Sequence, residues 1–227
     1  MNRSQDADTI VREINSRLGA LSSRTAEEIR AIRREYSQRL ATAKSGFLIR
    51  LSLRLLGQPD PLCRFVAYEL ITHHSPSYES LSPTQLLRLG QGLDSWSAVD
   101  GFAGYLAGPL WREGRLGDAM IMGWTRSADR WWRRAALVST VALSRRGGVD
   151  DVRKTFRTCA ALVSDRDDMV VKALSWALRE LGKKHPEKAS KFLADHRRDL
   201  AARVIREVEN KLTTGLKDPR RRRQAEG

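Results

Sequence analysis

Residues 170–181 read VVKALSWALREL and have the pattern of the second helix of a helical pair. Three earlier segments can be laid over this one: residues 63–74, 96–107 and 131–142. The starts of the four segments are 33, 35 and 39 residues apart. This spacing is typical of two-helix solenoid repeats and lies close to the tetratricopeptide and HEAT periods.

The rest of the chain also favours helices. Period-two alternation is scarce, and no Asn-Gly or Asp-Gly turn separates two β-branched runs. Helix breakers recur every few tens of residues: Gly57 with Pro59 and Pro61, Pro76 with Pro83, Gly114 with Gly117, Gly147-Gly148, and Gly182 with Pro186. The tetratricopeptide residue pattern is missing and the period is irregular. We therefore predict an all-α, right-handed solenoid of degenerate HEAT-like two-helix repeats with a concave basic face.

Two amphipathic helices are predicted at the start of the chain. The first has an apolar stripe, and the second opens with a capping box over residues 25–28. We expect a single domain over residues 1–215, with this helical pair in 1–45 and the repeats in 46–215. Residues 217–223 form a basic block with nothing apolar to bury, which predicts a flexible tail over residues 216–227. Such a tail is either a solvated terminus or a tether to a phosphate backbone.

Charge and composition narrow the class of partner. The chain has 41 Lys and Arg against 27 Asp and Glu, a net charge of +14 and a pI near 10.5. This field attracts polyanions, so nucleic acid is the leading partner and anionic lipid comes second. No secretory leader and no run of the ~18–20 apolar residues that cross a bilayer is visible. We expect a cytoplasmic protein, associated with the nucleoid when bound to DNA, with Cys63 and Cys159 as buried reduced thiols.

The overlaid helices place charged residues at neighbouring positions. Asp100 lies within one residue of the position of Arg134, and Lys172 is close to it. The carboxylate of Asp100 has two explanations. It forms a structural ion pair with Arg134 or Lys172 between packed helices, or it is catalytic. Cleavage of an N-glycosidic bond builds positive charge on the sugar, and a fixed carboxylate stabilises that charge or orients the attacking water.

Two tryptophans accompany these charges one helical turn away, Trp96 before Asp100 and Trp176 after Lys172. An alkylated purine such as N3-methyladenine or N7-methylguanine is cationic, and a cation over an indole gains roughly 0.5–2 kcal/mol. The two indoles could therefore select damaged bases. Core packing is the expected role of the remaining tryptophans: Trp111, Trp124 and one of Trp131 and Trp132.

At these residues the sequence resembles the AlkD-like family of HEAT-repeat alkylpurine DNA glycosylases. Residues 96–100 match its Trp-x-x-x-Asp pattern, and residues 127–136 match its Ser-x-(Asn/Asp)-x-Trp-x-x-Arg-x-Ala pattern. Residues 172–180 match Lys-Ala-x-x-Trp-x-Leu-Arg-Glu. The similarity runs from about Phe47 to about Arg206. Residues 22–30 lack the Gly and Pro that the family usually has near its first helices.

The resemblance implies a monofunctional glycosylase without metal or redox cofactor. Members of the family follow the sugar-phosphate backbone without flipping the lesion into a pocket, in contrast with most glycosylases. Asp100 is then the catalytic carboxylate, with Trp96 and Trp176 on the damaged nucleotide. Arg134 is expected to hold the flanking phosphate, where a guanidinium makes bidentate contacts. Further DNA contacts are expected from Arg133, Lys172 and Arg179, although Arg133 points elsewhere on its helix.

The sequence thus predicts a base excision repair enzyme that removes N3- or N7-alkylated purines from duplex DNA. We expect a monomer that needs no cofactor and does not bind membranes. Two other functions stay open. One is a non-catalytic HEAT-repeat protein that binds branched or distorted DNA, and the other is a HEAT-like protein scaffold without steep salt dependence of DNA affinity.

Overall fold

The computed structural model describes residues 6–144 and 148–219. They fall into two compact units, Met1–Gly92 and Leu93–Gly227. All regular elements in the described ranges are helices, so the all-α prediction is confirmed there. The single domain over residues 1–215 stays a prediction. Most of the predicted basic tail, residues 220–227, lies outside the described residues.

The first unit contains six helices in its described part: α1 (Ala7–Gly19), α2 (Ala26–Arg39), α3 (Ser45–Leu55), α4 (Leu62–Thr72), α5 (Ser75–Glu79) and α6 (Pro83–Leu89). The predicted N-terminal pair is confirmed as α1 and α2. The capping box at Thr25 is also present, because its hydroxyl accepts from the Glu28 N–H while the Glu28 side chain accepts from the Thr25 N–H. The apolar stripe of α1 is buried in the core at Ile10, Ile14 and Leu18.

The second unit contains a row of helical pairs over its described residues: α7 (Trp96–Phe102), a π-helical turn (Ala103–Ala107), α8 (Gly108–Arg112), α9 (Asp118–Thr125), α10 (Arg130–Ser144), α11 (Val149–Ala160), α12 (Asp168–Gly182), α13 (Pro186–Asp195) and α14 (Ala202–Thr214). Helix α10 packs against α7 on one side and α12 on the other, and α12 packs against α14. The predicted helices at residues 96, 131 and 170 are therefore neighbours, as the overlay requires.

The helix that begins at Trp96 differs from its prediction in one respect. We expected a regular helix over residues 96–107, but it widens into the π-helical turn before Pro109. Proline has no N–H to donate to the preceding turn, and this loss favours a local change of hydrogen bonding. Gly108 directly follows the π turn. Only glycine fits at this position without a shift of its neighbours, because a Cβ there would lie 2.7 Å from the carbonyl oxygen of Ser139. The close contact sets α8 directly against α10.

Aromatic side chains fill the core around α7, α9 and α10. Trp111 and Trp124 are buried, as predicted. Trp132 packs against Trp124 with ring centroids 4.9 Å apart, while Trp131 lies under the guanidinium of Arg130. Of the adjacent pair, Trp132 is therefore the residue that packs inward.

Both cysteines are buried and free, as predicted, and burial raises the pKa of the Cys63 thiol to about 12. Among the described helices, none combines the length and the apolar character that crossing a membrane requires.

Candidate functional site

A cleft of about 320 Å³ opens in the second unit where α7, α10 and α12 come together. The lining side chains are those of Trp96, Arg134, Met169, Lys172, Trp176, Arg179 and Lys217. Five of these seven residues were predicted from the three sequence motifs. The packing of the second helices side by side thus brings together residues that are up to 83 positions apart in the chain.

Asp100 and Arg134 form a two-pronged ion pair at this cleft. Arg134 Nε donates to Asp100 Oδ1 at 3.0 Å, and Arg134 Nη2 donates to Oδ1 at 2.8 Å and to Oδ2 at 3.0 Å. The third nitrogen, Nη1, donates to the main-chain carbonyl of Met169 at 2.7 Å. This planar fork fixes the carboxylate in one orientation. It also ties α7 to α10 and α10 to the first turn of α12.

Burial differs between the two members of the pair. The Arg134 side chain is 6% exposed, whereas that of Asp100 keeps 21% of its surface open. Burial raises the pKa of the Asp100 carboxyl above its ordinary value, and the charge and hydrogen bonds of Arg134 oppose that rise. The carboxylate is therefore incompletely solvated, and a further positive charge near it would stabilise its ionised form.

The two predicted indoles are accessible at the same cleft. Ser95 caps the N-terminus of α7 with its hydroxyl, which places Trp96 at the first helical position and leaves 59% of it exposed. Trp176 lies half-buried in the middle of α12. Both indoles can therefore contact a ligand without any change in the core.

Cationic side chains complete the lining. Lys172 pairs with Asp168 at 2.7 Å, one turn back on α12. Arg179 Nε donates to the Ser175 hydroxyl at 3.2 Å, and that hydroxyl donates to the buried carboxylate of Glu207 at 2.6 Å. Burial lowers the pKa of Arg179. These contacts hold the two cations in the lining of the cleft, where they can meet phosphate groups.

Arg133 is, with Asp100, one of two predicted site residues whose side chains do not line the cleft, and unlike Asp100 it forms no ion pair with a lining residue. It donates to the Asp165 carboxylate at 2.7 Å and to the carbonyls of Ser127 and Ala128. Adjacent helical positions point about 100° apart, so Arg133 faces the loop before α12 while Arg134 faces Asp100. A DNA-binding role for Arg133 gains no support from these contacts and stays a prediction.

Two members of the site were missed from the sequence. Met169 contributes a main-chain carbonyl, which no side-chain pattern reveals. Lys217 belongs to the basic segment after α14, and its Nζ lies 3.4 Å from a Glu207 oxygen. The sequence indicated only that this segment is basic. It did not indicate that Lys217 lies at the cleft.

Comparison with known proteins decides the family. A family model described as DNA alkylation repair enzyme matches residues 21–212. The chain belongs to the DNA alkylation repair enzyme family. The predicted resemblance to AlkD-like proteins is confirmed, and membership assigns the chain a role in DNA alkylation repair, with DNA as its partner. No curated protein matches the chain at the level of sequence.

A solved structure supports the fold of this family member. The X-ray crystal structure of AlkD2 from Streptococcus mutans matches with a TM-score of 0.65 and 18% sequence identity. The match covers 92% of this chain and 97% of that one. The HEAT-like fold class is thereby confirmed, while its handedness and the concave basic face stay predictions.

Within residues 6–144 and 148–219, no group of three or more His, Cys, Asp and Glu side chains is placed to hold a metal ion.

Proposed function

We propose that this protein is a monofunctional alkylpurine DNA glycosylase, which hydrolyses the N-glycosidic bond of cationic N3- or N7-alkylated purines in duplex DNA. One observation carries the proposal. A partly desolvated carboxylate, Asp100, is fixed by the guanidinium of Arg134 at a cleft that also presents the indoles of Trp96 and Trp176. This combination suits a reaction whose substrate and transition state are both positively charged.

The reaction places its charge where a carboxylate can stabilise it. As the N-glycosidic bond breaks, the electron pair goes to the base, which leaves as a neutral purine, and positive charge develops on the deoxyribose. A water molecule then bonds to the sugar carbon, and its proton passes to Asp100 or to solvent. A carboxylate in a site of reduced dielectric interacts more strongly with this developing charge than one in water. The raised pKa of Asp100 reports the same desolvation.

The indoles account for selection of the damaged nucleotide. N3- and N7-alkylated purines carry a formal positive charge, and an indole face attracts a cation by roughly 0.5–2 kcal/mol. Trp96 is available for such a contact because 59% of its surface is exposed. Trp176 approaches the same cleft from α12. Normal purines are neutral and gain no such stabilisation.

The contacts of Arg134 favour a role different from the one expected from the sequence. All three of its guanidinium nitrogens already donate to Asp100 or to Met169, and only 6% of the side chain is exposed. We therefore assign Arg134 as a positioning residue that orients Asp100. The side chains that we propose to contact phosphate are those of Lys172, Arg179 and Lys217, which line the cleft.

The same ion pair favours a second candidate function. If Arg134 serves only to neutralise the partly buried carboxylate of Asp100, the protein is a DNA binder without excision activity that recognises branched or distorted duplex. Such a protein binds through the cationic lining alone, so its affinity falls steeply with salt but does not depend on a damaged base.

Base release from alkylated duplex distinguishes the two. Purified protein is incubated with duplex DNA that contains N7-methylguanine or N3-methyladenine, and the freed base is quantified against a protein-free sample. The glycosylase releases both bases above the spontaneous rate. Release at the spontaneous rate, together with tight binding of branched duplex, would instead establish the non-catalytic binder.

A further inference from the structure

A second cleft of about 390 Å³ lies in the same unit, between α11 and α13. It is lined by Phe156, Arg157, Ala160, Lys188, Lys191, Phe192, Asp195 and His196. The candidate site draws on α7, α10, α12 and the segment after α14, so the two clefts share no residue and no helix. The second cleft needs an explanation of its own.

Aromatic rings form one wall of this cleft. Phe156 on α11 and Phe192 on α13 are stacked with centroids 5.2 Å apart and planes 7° from parallel. The imidazole of His196 follows, with its centroid 4.4 Å from that of Phe192. Phe192 is buried, whereas Phe156 and His196 keep part of their surface open. A flat apolar ring can therefore pack against this wall.

Uncompensated positive charge lies beside the rings. Within the described residues, the side chains of Arg157 and Lys188 make no hydrogen bond or ion pair. The neighbouring Lys191 is neutralised by Asp195 at 3.0 Å. The cleft thus offers an aromatic surface and two free cations, which complement a ligand that joins a flat ring to an anionic group.

We propose that this cleft binds a nucleotide of single-stranded DNA, with the base against Phe156 and His196 and the phosphates near Arg157 and Lys188. Proteins that hold single strands combine stacking on aromatic side chains with cations along the backbone. Duplex DNA cannot bind in this way because its bases are paired and stacked inside the helix. The volume falls within the range of about 300–1,000 Å³ that is usual for ligand sites. The inference does not depend on the glycosylase assignment.

The experiment measures binding of a short fluorescent oligo(dT) to the full-length protein by anisotropy, over a series of salt concentrations. Phe156→Leu removes the ring and should weaken binding about 5- to 150-fold, the range seen when a stacking side chain is removed. The double variant Arg157→Gln/Lys188→Gln should lower the salt slope by about 1.4, since each phosphate contact on a single strand contributes about 0.7.

Controls separate this cleft from the candidate active site. Arg153→Gln removes a cation from the same helix that already pairs with Asp150, so oligo(dT) affinity should change little. Base release from alkylated duplex should be unchanged in every variant. Thermal unfolding checks that Phe156→Leu is folded, and the Arg157 and Lys188 changes lie on exposed side chains that do not affect the core.

Three results would overturn the proposal. The first is wild-type affinity for oligo(dT) in both the Phe156 and the Arg157/Lys188 variants. The second is binding of free thymidine monophosphate as tight as that of the oligonucleotide, which would indicate a site for free nucleotides. The third is equal competition by an acidic peptide, which would indicate a simple anion site.

Discussion

Replacing Arg134 by Gln tests how the carboxylate of Asp100 is tuned. In the wild-type protein, burial raises the pKa of Asp100, and Arg134 opposes that rise through its charge and three hydrogen bonds. Glutamine removes the charge and leaves the burial. The pKa of Asp100 should therefore rise further in the Arg134→Gln variant.

The size of the effect follows from the geometry. An arginine in direct contact with an aspartate typically lowers its pKa by about 1–3 units, and both oxygens of Asp100 accept from Arg134 here. Because the proposed mechanism needs Asp100 in its ionised form, the acid limb of the excision rate should move to higher pH in the Arg134→Gln variant. The loss of rate should be largest in mildly acidic solution and smaller in alkaline solution.

Single-turnover release of N7-methylguanine from duplex DNA, measured across pH and corrected for spontaneous loss, gives the profile. Arg133→Gln is the matched control, since Arg133 pairs with Asp165 away from the cleft and should leave the acid limb in place. An acid limb at the same pH in the Arg134→Gln variant and in wild type would refute the reasoning. So would an equal shift in the control.

Three further predictions concern selection, packing and metal independence. Trp96→Ala should reduce the preference for cationic over neutral bases by roughly 2- to 30-fold in competition assays, while thermal unfolding changes little because Trp96 is 59% exposed. Gly108→Ala should destabilise the protein by about 1–3 kcal/mol in urea unfolding, because the new Cβ would meet the Ser139 carbonyl and the Ala142 Cβ at 2.7 and 2.8 Å. Gly104→Ala meets nothing within 4 Å and should not destabilise it. Excess chelator should leave base release unchanged, and a loss restored by added metal would contradict the cofactor-free mechanism.

Local signals in the sequence were sufficient to place six helical segments, namely the N-terminal pair and the four overlaid helices. The apolar stripe of α1 and the capping box of α2 act within a few positions of each other, so these helices could be assigned without tertiary information. The π-helical turn was missed because it depends on how Pro109 and Gly108 pack within a helix that continues beyond them. Helical periodicity alone does not reveal such a turn.

The candidate site was predicted as a set of residues but not as a set of contacts. The overlay of repeats placed Asp100 within one residue of the position of Arg134, yet it could not decide whether Arg134 binds Asp100 or a phosphate. That choice depends on distances between helices and on the Met169 carbonyl, which only the folded chain provides. Likewise, the stack of Phe156 on Phe192 joins helices α11 and α13 and has no sequence signature.

The most direct test of the account is the effect of Asp100→Asn on excision and on binding. Asparagine keeps the shape of the side chain and an oxygen that accepts from Arg134, but it carries no negative charge. Removing one such electrostatic group should slow single-turnover release of N7-methylguanine by about 10²- to 10³-fold, while affinity for the duplex stays the same. Release by the Asp100→Asn variant at the wild-type rate would contradict a catalytic role for this carboxylate.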